Sequence, residues 1–333
     1  MISYSISHTN CPTLPPSVCA IGYFDGLHTG HQKLIETAKE QAQKKGIACS
    51  VLTFVPDPWA ILKPNEPLQH LSDLEDKTAM LEALGVDLFY IVDFTKAFAA
   101  LSIDQFHAFL KNLNIQEIVC GFDFTYGFKG QGTAQSLLAC DDFETIVVSK
   151  ISDDPNGSLE KISSSRIEKL IAKGDMEKAN ELLGYLYSLK GTIVHGYQRG
   201  RKLGFPTANL AFDEESFLPG SGVYAGFVEV NNTMLPAMIN IGKNPTFQNK
   251  KITVEAYILN QSLQLYGQQV RFFFVARLRG EKKFDSIDNL KAQLAYDEKQ
   301  VIPALEASKK LFAPTARIWS LDWANGIIDV RCP

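Results

Sequence analysis

The sequence predicts two folds of different class in one chain: an α/β domain on a parallel sheet, then a small antiparallel β domain with a terminal helix. Three observations predict it. Strand-length apolar runs alternate with helical segments as far as IQEIVCGF. After about Leu183, short alternating strands follow one another at regular spacing with turn residues between them. A length of 333 residues accommodates two domains of ordinary size.

In the first half, SVCAIGYF reads as a buried strand and HQKLIETAKEQAQKKG as an amphipathic helix stopped by Gly46. A strand IACSVLTF, a proline-rich loop VPDPWAILKPNEP and a helix LEDKTAMLEALG come next. Then follow a strand LFYIVDF, a helix SIDQFHAFLKNL with Ser102 as its cap, and a strand IQEIVCGF. Such alternation implies parallel pairing with helices on both faces, and ligand sites in the loops at the carboxyl ends of strands. AIGYFDG and IVCGFDFTYG both run from a strand into such a loop. Two helical segments, SSSRIEKLIAKG and MEKANELLG, lead to the strands YSLKGTIVHG, GVYAGFVEV, MLPAMINIG, ITVEAYIL and QVRFFFVARL. A final helix spans roughly Ile287 to Leu311.

Apolar residues make up 45% of the chain and charged residues 21%, the proportions of a packed globular protein. A formal net charge of −4 argues against a broad nucleic-acid-binding face. No apolar run reaches the ~20 residues of a membrane span. The opening MISYSISHTNCPTLPP lacks a basic segment followed by an apolar core, so no secretion signal is expected. The cysteines Cys11, Cys19, Cys49, Cys120, Cys140 and Cys332 form no CxxC pair. They read as small hydrophobes in a reducing cytoplasm rather than as a disulfide framework or zinc site.

The stretch AIGYFDGLHTGHQ places His28 and His31 three residues apart at a glycine-rich turn. Three readings fit. A metal half-site would need further ligands at matching spacing, and only Asp25 is local. A purely structural pair is the ordinary alternative. In the third reading a strand feeds a turn and the next helix presents its N-terminus, so backbone N–H groups and two imidazoles converge on a polyphosphate. The histidines would then stabilise charge on a leaving pyrophosphate.

GYFDGLHTGHQ, GFDFTYG, ISSS, RGRKLGFPTANL and NPTF…VEAYIL…LYG occur in this order between about Val18 and Leu311. Together they resemble the bacterial bifunctional riboflavin kinase/FMN adenylyltransferases. The resemblance implies a Rossmann-like adenylyltransferase domain with a parallel sheet over residues 1–183 and an antiparallel six-stranded riboflavin-kinase barrel over 184–312. Residues 313–333 form a tail beyond it. It implies riboflavin, FMN, FAD and ATP/ADP as substrates and products, Mg2+ as cofactor, a cytoplasmic setting, and neither nucleic acid nor membrane as partner.

Carried over by motif, His28 and His31 are implied to bind the ATP phosphates as catalytic residues, within a turn built by Gly22, Phe24, Asp25 and Gly26. Asp123 and Phe124 are implied to contact nucleotide or flavin, although Asp123 also suits an ordinary turn. Ser163, Ser164 and Ser165 resemble a phosphate-holding run, and a plain helix cap fits them equally well. Two positions depart from the family pattern. Glu168 stands where an arginine follows the serine run, and Arg166, about 200° away around a helix, is no direct substitute. Asp57 stands between Pro56 and Pro58, where relatives carry histidine. Two acids in a triphosphate pocket predict slow FAD formation, and they support an alternative: a monofunctional riboflavin kinase whose N-terminal domain is a silent nucleotide- or flavin-binding module. A nucleic-acid-associated nucleotidyltransferase is a third reading, against which the net charge counts.

In the second half, GYQRGRKLGFPTANL reads either as a solvated basic loop or as a phosphate-binding one. In the latter reading Gly196, Gly200 and Gly204 permit close backbone approach, and Arg199, Arg201 and Lys202 supply charge. Thr207 and Asn209 then offer oxygen ligands of the kind magnesium takes. Glu255, an acid among apolar strand residues, could simply face solvent. The resemblance makes it the base that accepts the proton of the riboflavin 5′-hydroxyl, and makes Thr207 and Asn209 the metal and phosphate ligands. The tryptophans of the tail, Trp319 and Trp323, fit packing on the barrel or contact with a partner.

Overall fold

A computed structural model describes residues 1–152, 160–196, 199–243, 252–261 and 263–323, the side chains at 199, 202, 243 and 323 excepted. The chain divides into two compact units, Met1–Ser164 and Ser165–Pro333.

The first unit is built on β1 (Ile2–Ile6), β2 (Ser17–Ile21), β3 (Ala48–Val55), β4 (Leu88–Asp93) and β5 (Ile115–Gly121). A ribbon of β6 (Thr125–Tyr126) and β7 (Gly132–Thr133) follows, then β8 (Glu144–Val148). Apart from the ribbon, the strands form one parallel sheet in the order β1-β4-β3-β2-β5-β8. Its helices are α1 (Thr29–Lys45), α2 (Pro58–Leu62), α3 (Leu74–Leu84), α4 (Lys96–Ala99), α5 (Ile103–Asn112) and α6 (Ala134–Leu138). Alternate strand residues explain the layering. Cys19, Ile21, Leu52, Tyr90, Ile118 and Cys120 join a core with Phe106, Phe109 and Leu110 of α5 and Leu137 of α6. Val18, Ala20, Val51 and Val119 are equally buried on the other face, and α1 lies along β2, β3 and β5. Ser102 and Gln105 form a reciprocal capping box at the start of α5. Gly46 ends α1 in the left-handed conformation, φ 67°, as its position in the sequence predicts.

The sequence reading lacked β1, β8 and the short helix α2. β1 reads ISYSI and is mostly exposed at the sheet edge, where the apolar alternation is weak. α2 arises inside the proline-rich loop because Pro58 occupies the first helical turn and Asp57 caps it. The strand order reverses at β2: β3 lies on one side of it and β5 on the other. That switch point places the loops after β2 and β5 side by side at the carboxyl edge.

In the second unit, α7 (Ser164–Lys173) and α8 (Met176–Leu183) precede β9 (Ser188–Val194), the short helix α9 (Arg199–Leu203) and β10 (Ala208–Phe212). β11 (Gly222–Val230), β12 (Thr233–Lys243), β13 (Ile252–Ile258) and β14 (Gln269–Arg279) follow. All six strands pair antiparallel in the order β11-β14-β9-β10-β13-β12, and β11–β12 pairing closes the barrel. Buried Asn180 ties α8 to it, donating to Phe274 O at 2.8 Å and accepting from Tyr187 N at 2.8 Å. α10 (Ile287–Ala307) buries Val301 and Leu305 with Phe227, Phe273 and Val275 of the barrel. The expected final helix is therefore shorter, and a 3-10 turn over Lys309–Leu311 leads into α11 (Phe312–Trp319).

The tail packs back on the barrel as far as it is described. Trp319 meets Tyr185 and Phe273 with ring centroids 5.7 and 5.5 Å apart, and the Arg271 guanidinium lies 4.7 Å from its ring. β15 (Asp322–Trp323) then adds a parallel pairing to β12 at Thr233 and Met234. Cys11, Cys19, Cys49, Cys120 and Cys140 are free thiols, and Cys332 lies outside the described residues. Among the described residues no helix is long and apolar enough to cross a membrane.

Candidate functional site

Between β2 and α1 the chain turns through Phe24, Gly26 and Leu27, all at left-handed φ (57°, 69° and 35°). Burial of the Phe24 and Leu27 side chains holds two non-glycine residues in that costly region. At Gly22 a Cβ would sit 3.1 Å from the Phe24 ring. Asp25 braces the turn: its buried carboxylate accepts the backbone N–H groups of Leu71 and Ser72, each at 3.1 Å. Gly26 N–H reciprocates by donating to Ser72 Oγ at 2.8 Å. Burial raises the Asp25 carboxyl pKa, against the lowering influence of Lys77 and the Leu71 N–H.

His28 caps α1, its Nδ1 accepting from His31 N–H at 3.2 Å. The neutral tautomer therefore carries its proton on Nε2 and offers it as a donor. The His31 ring lies against His28 and meets Phe24 edge-on, and its Nδ1 is buried without a hydrogen-bond partner. Burial pushes His28 down to about 4, with Lys161 adding to the effect. Burial and then His28 push His31 well below the ordinary imidazole value. Buried Lys77 on α3 donates to Tyr23 O at 3.2 Å, and burial lowers its pKa.

At the end of β5, Asp123 pairs with Lys161, whose Nζ also lies 5.1 Å from the centre of the Phe122 ring. Phe124 stacks on Tyr126 at 5.8 Å. Ser164 Oγ donates to Asp25 O at 3.0 Å, tying the serine run to the turn. Ser163 is half-buried and Ser165 exposed. Asp57 is buried at the end of β3 and accepts Trp59 N–H at 2.6 Å, with His70 Nδ1 3.5 Å from its other oxygen. Glu168 is half-buried on α7, one turn beyond Ser164. Among the described residues no group of three or more His, Cys, Asp or Glu could hold a metal ion.

In the second unit, Thr207 Oγ1 donates to Glu255 Oε2 at 3.1 Å. The β10–β13–β12 register sets Asn209, Glu255 and Asn240 in one row across three adjacent strands. Their neighbours Leu210, Val254, Ala256, Ile239 and Ile241 are buried, so strand alternation puts the polar row on the opposite face. Gly196 is dictated by contact, because a Cβ there would come within 2.3 Å of the Asn209 amide. At Gly200 a Cβ would meet Phe205 O at 2.2 Å, and Gly204 adopts φ +90°. Arg201 is exposed on α9. The Lys202 side chain and the NPTF segment, 244–247, lie outside the described residues. The basic loop of the sequence reading thus contains a helical turn and a barrel strand.

Sequence reading missed Tyr23, His70, Ser72, Lys77 and Lys161. Spacing gives no signal for the pairs they make, since each partner lies far away along the chain. Lys77 resembles a solvent-facing helix lysine until its burial is seen.

An FAD synthetase family model matches residues 11–166 and a riboflavin kinase family model matches residues 183–305. The bifunctional riboflavin kinase/FMN adenylyltransferase of Bacillus subtilis is 40% identical over 295 residues, covering 86% of this chain and 92% of the relative. The chain belongs to the bifunctional riboflavin kinase/FMN adenylyltransferase family. A second member of that family, from Listeria monocytogenes, is 41% identical over 286 residues, covering 84% of this chain and 90% of its own. A solved structure described as a macrolide-efflux protein from Streptococcus pneumoniae superposes with a TM-score of 0.84 at 36% identity, covering 90% of this chain and 99% of that one. The riboflavin kinase/FMN adenylyltransferase family therefore accounts for both halves, the α/β unit and the barrel alike.

Proposed function

We propose that the chain phosphorylates riboflavin to FMN with ATP and adenylylates FMN to FAD with release of pyrophosphate, each reaction on its own domain. Residues 1–183 are assigned to the adenylyltransferase, 184–312 to the kinase barrel and 313–333 to a C-terminal tail. The riboflavin kinase family model, which begins at 183, supports the start of the kinase domain, whereas the FAD synthetase model ends at 166 and the compact units divide at Ser164/Ser165. The two family models also favour the bifunctional reading over a kinase with a silent N-terminal domain. The protein is assigned to the cytoplasm.

The observation that carries the kinase is the Thr207–Glu255 hydrogen bond beside Asn209. Thr207 occupies one carboxylate oxygen and leaves the other to accept the proton of the riboflavin 5′-hydroxyl as it attacks the γ-phosphorus of ATP. ADP leaves and FMN remains. The Thr207 and Asn209 side-chain oxygens are hard donors that fit Mg2+, which when bound supplies charge neutralisation for the phosphates. Gly200, Arg201, Lys202 and Gly204 are assigned to the ATP phosphates. In the first unit, a phosphate oxygen of FMN attacks the α-phosphorus of ATP and pyrophosphate departs. Neutral His28 and His31, with the helix N-terminus beneath them, donate N–H groups to the charge that builds on the leaving group. Gly22, Phe24, Asp25 and Gly26 fix the turn, Ser163 and Ser165 are assigned as hydroxyl donors while Ser164, whose proton goes to Asp25 O, ties the run to the turn, and Asp123 and Phe124 border the nucleotide or flavin.

The test is a chromatographic time course of purified protein with riboflavin, ATP and magnesium. FMN should appear first and FAD after it. FMN accumulation with no FAD would return the N-terminal domain to the silent-module reading.

A further inference from the structure

Asp57 is an acid at a place where an anionic substrate is expected, and its surroundings show how its charge is answered. Its Oδ1 accepts Trp59 N–H at 2.6 Å and its Oδ2 lies 3.5 Å from His70 Nδ1. The same His70 nitrogen is 3.3 Å from the Tyr23 hydroxyl, inside the glycine-rich turn. Both neighbours of the imidazole therefore act on Nδ1. Nε2 is left as the only other polar atom of a ring that is 18% exposed. When Tyr23 donates to Nδ1 the neutral ring carries its proton on Nε2, and Nε2 is a donor; a neutral ring that gave its Nδ1 proton to Asp57 would instead present Nε2 as an acceptor. The 3.3 Å Tyr23 contact is the closer of the two and selects the donor arrangement.

The backbone places this donor along the catalytic turn. The residues that follow His70, Leu71 and Ser72, give their N–H groups to Asp25, and Ser72 Oγ receives Gly26 N–H. Gly22 N–H bonds Leu52 O of β3, so the end of β3, two residues before Asp57, runs beside the turn after β2. Lys77 lies 3.8 Å from the centre of the Tyr23 ring and interacts electrostatically with both Asp25 and Asp57.

We propose that His70 contacts a phosphate group in the adenylyltransferase site, its Nε2–H donating to a phosphate oxygen of ATP or of FMN while Asp57 and Tyr23 position the ring. This rests on the adenylyltransferase reading of the first unit. A third imidazole thus reaches the pocket from a loop thirteen residues beyond Asp57, and the acid lies beside it as an orienting neighbour.

The experiment uses the full chain carrying His70→Ala, His70→Gln and His70→Arg. FAD formation from supplied FMN and ATP is measured beside FMN formation from riboflavin. His70→Ala should lower kcat/KM for FAD formation at least about 10-fold, the scale of a lost charge-assisted hydrogen bond, with kinase turnover unchanged. His70→Arg, which keeps a donor, should recover most of the loss. Calorimetric titration with FMN alone and with ATP alone identifies the source of the phosphate: the ligand whose binding weakens in His70→Ala is the one contacted. Two results overturn the proposal: His70→Ala within two-fold of wild type, or equal loss in all three variants with a lowered unfolding midpoint. Absence of FAD formation by wild type would instead overturn the functional reading on which it stands.

Discussion

His28 and His31 stack face to face, with ring centroids 3.6 Å apart and planes 15° from parallel. Two imidazolium rings at that spacing would repel, and burial disfavours charge on either. The folded pKa of His28 is about 4, below the unfolded value of about 6.5. As pH falls through this window, the unfolded chain takes up a proton that the folded turn refuses, so stability falls with falling pH and is independent of this group above about 6.5. Urea midpoints of the first unit should drop between pH 7 and pH 4.5. His28→Asn retains a capping oxygen and should flatten that slope. It should also cut FAD formation by about 10²-fold, the usual effect of losing one charge-stabilising donor. An unchanged slope would remove His28 as its source.

Thr207 and Glu255 make an analogous pair in the barrel. Glu255→Gln keeps the shape and the hydrogen bond to Thr207 but cannot accept a proton. FMN formation should fall by about 10²–10⁴-fold, the range of general-base catalysis. FAD formation from supplied FMN should stay within two-fold of wild type, because it uses the other domain. Product chromatography of the two reactions run separately decides this, and a near-normal rate of FMN formation means that the base lies elsewhere.

Legibility followed sequence distance. β2, β3 and β5 were plain because burial on both faces makes them mostly apolar, interrupted only by Ser17, Ser50, Thr53, Gln116 and Glu117. β1 was hidden because Ser3 and Ser5 interrupt an edge strand that is mostly exposed. β10 was concealed inside a basic, glycine-rich segment, and only pairing with β9 and β13 makes it a strand. The histidine pair was legible because three residues of one helical turn hold it together. Asp57–His70 and Thr207–Glu255 were not legible as contacts, since folding alone brings each pair together. The same holds for Lys77, whose helical position predicts a face but not that the face is covered.

Gly196 links the loop to the metal-ligand candidates more directly than its charges do. A Cβ there would fall 2.3 Å from the Asn209 Nδ2, so Gly196→Ala must displace the amide. The KM for magnesium-ATP in FMN formation should rise several-fold, while FAD formation is unaffected. The two residues form one unit, so Gly196→Ala combined with Asn209→Ala should be no worse than Asn209→Ala alone. Additive losses in kcat/KM would show that the glycine acts on something else.

The tail supplies the last prediction. Trp319 stacks edge-on against Tyr185 and Phe273 and lies under the Arg271 guanidinium, which is itself fixed to Ser188 Oγ at 3.0 Å. Tyr185 leads into the barrel, Ser188 opens β9 and Phe273 belongs to β14, so one side chain braces three separate places. A fully buried tryptophan replaced by alanine costs about 3–5 kcal/mol; Trp319 is half-buried. Each aromatic pair adds about 0.5–1.5 kcal/mol beyond area burial, and the guanidinium contact about 0.5–1 kcal/mol. Trp319→Ala should therefore destabilise the second unit by about 2–3 kcal/mol, on the scale of those combined contacts with partial burial. Trp319→Phe should restore more than half of that. Riboflavin phosphorylation well below the unfolding midpoint should be unchanged, because none of these residues belongs to the Thr207–Asn209–Glu255 group. Chemical unfolding followed alongside FMN formation separates the cases: stability within 0.5 kcal/mol of wild type would mean the tail contributes no brace, and lost turnover in a folded variant would place it in the reaction.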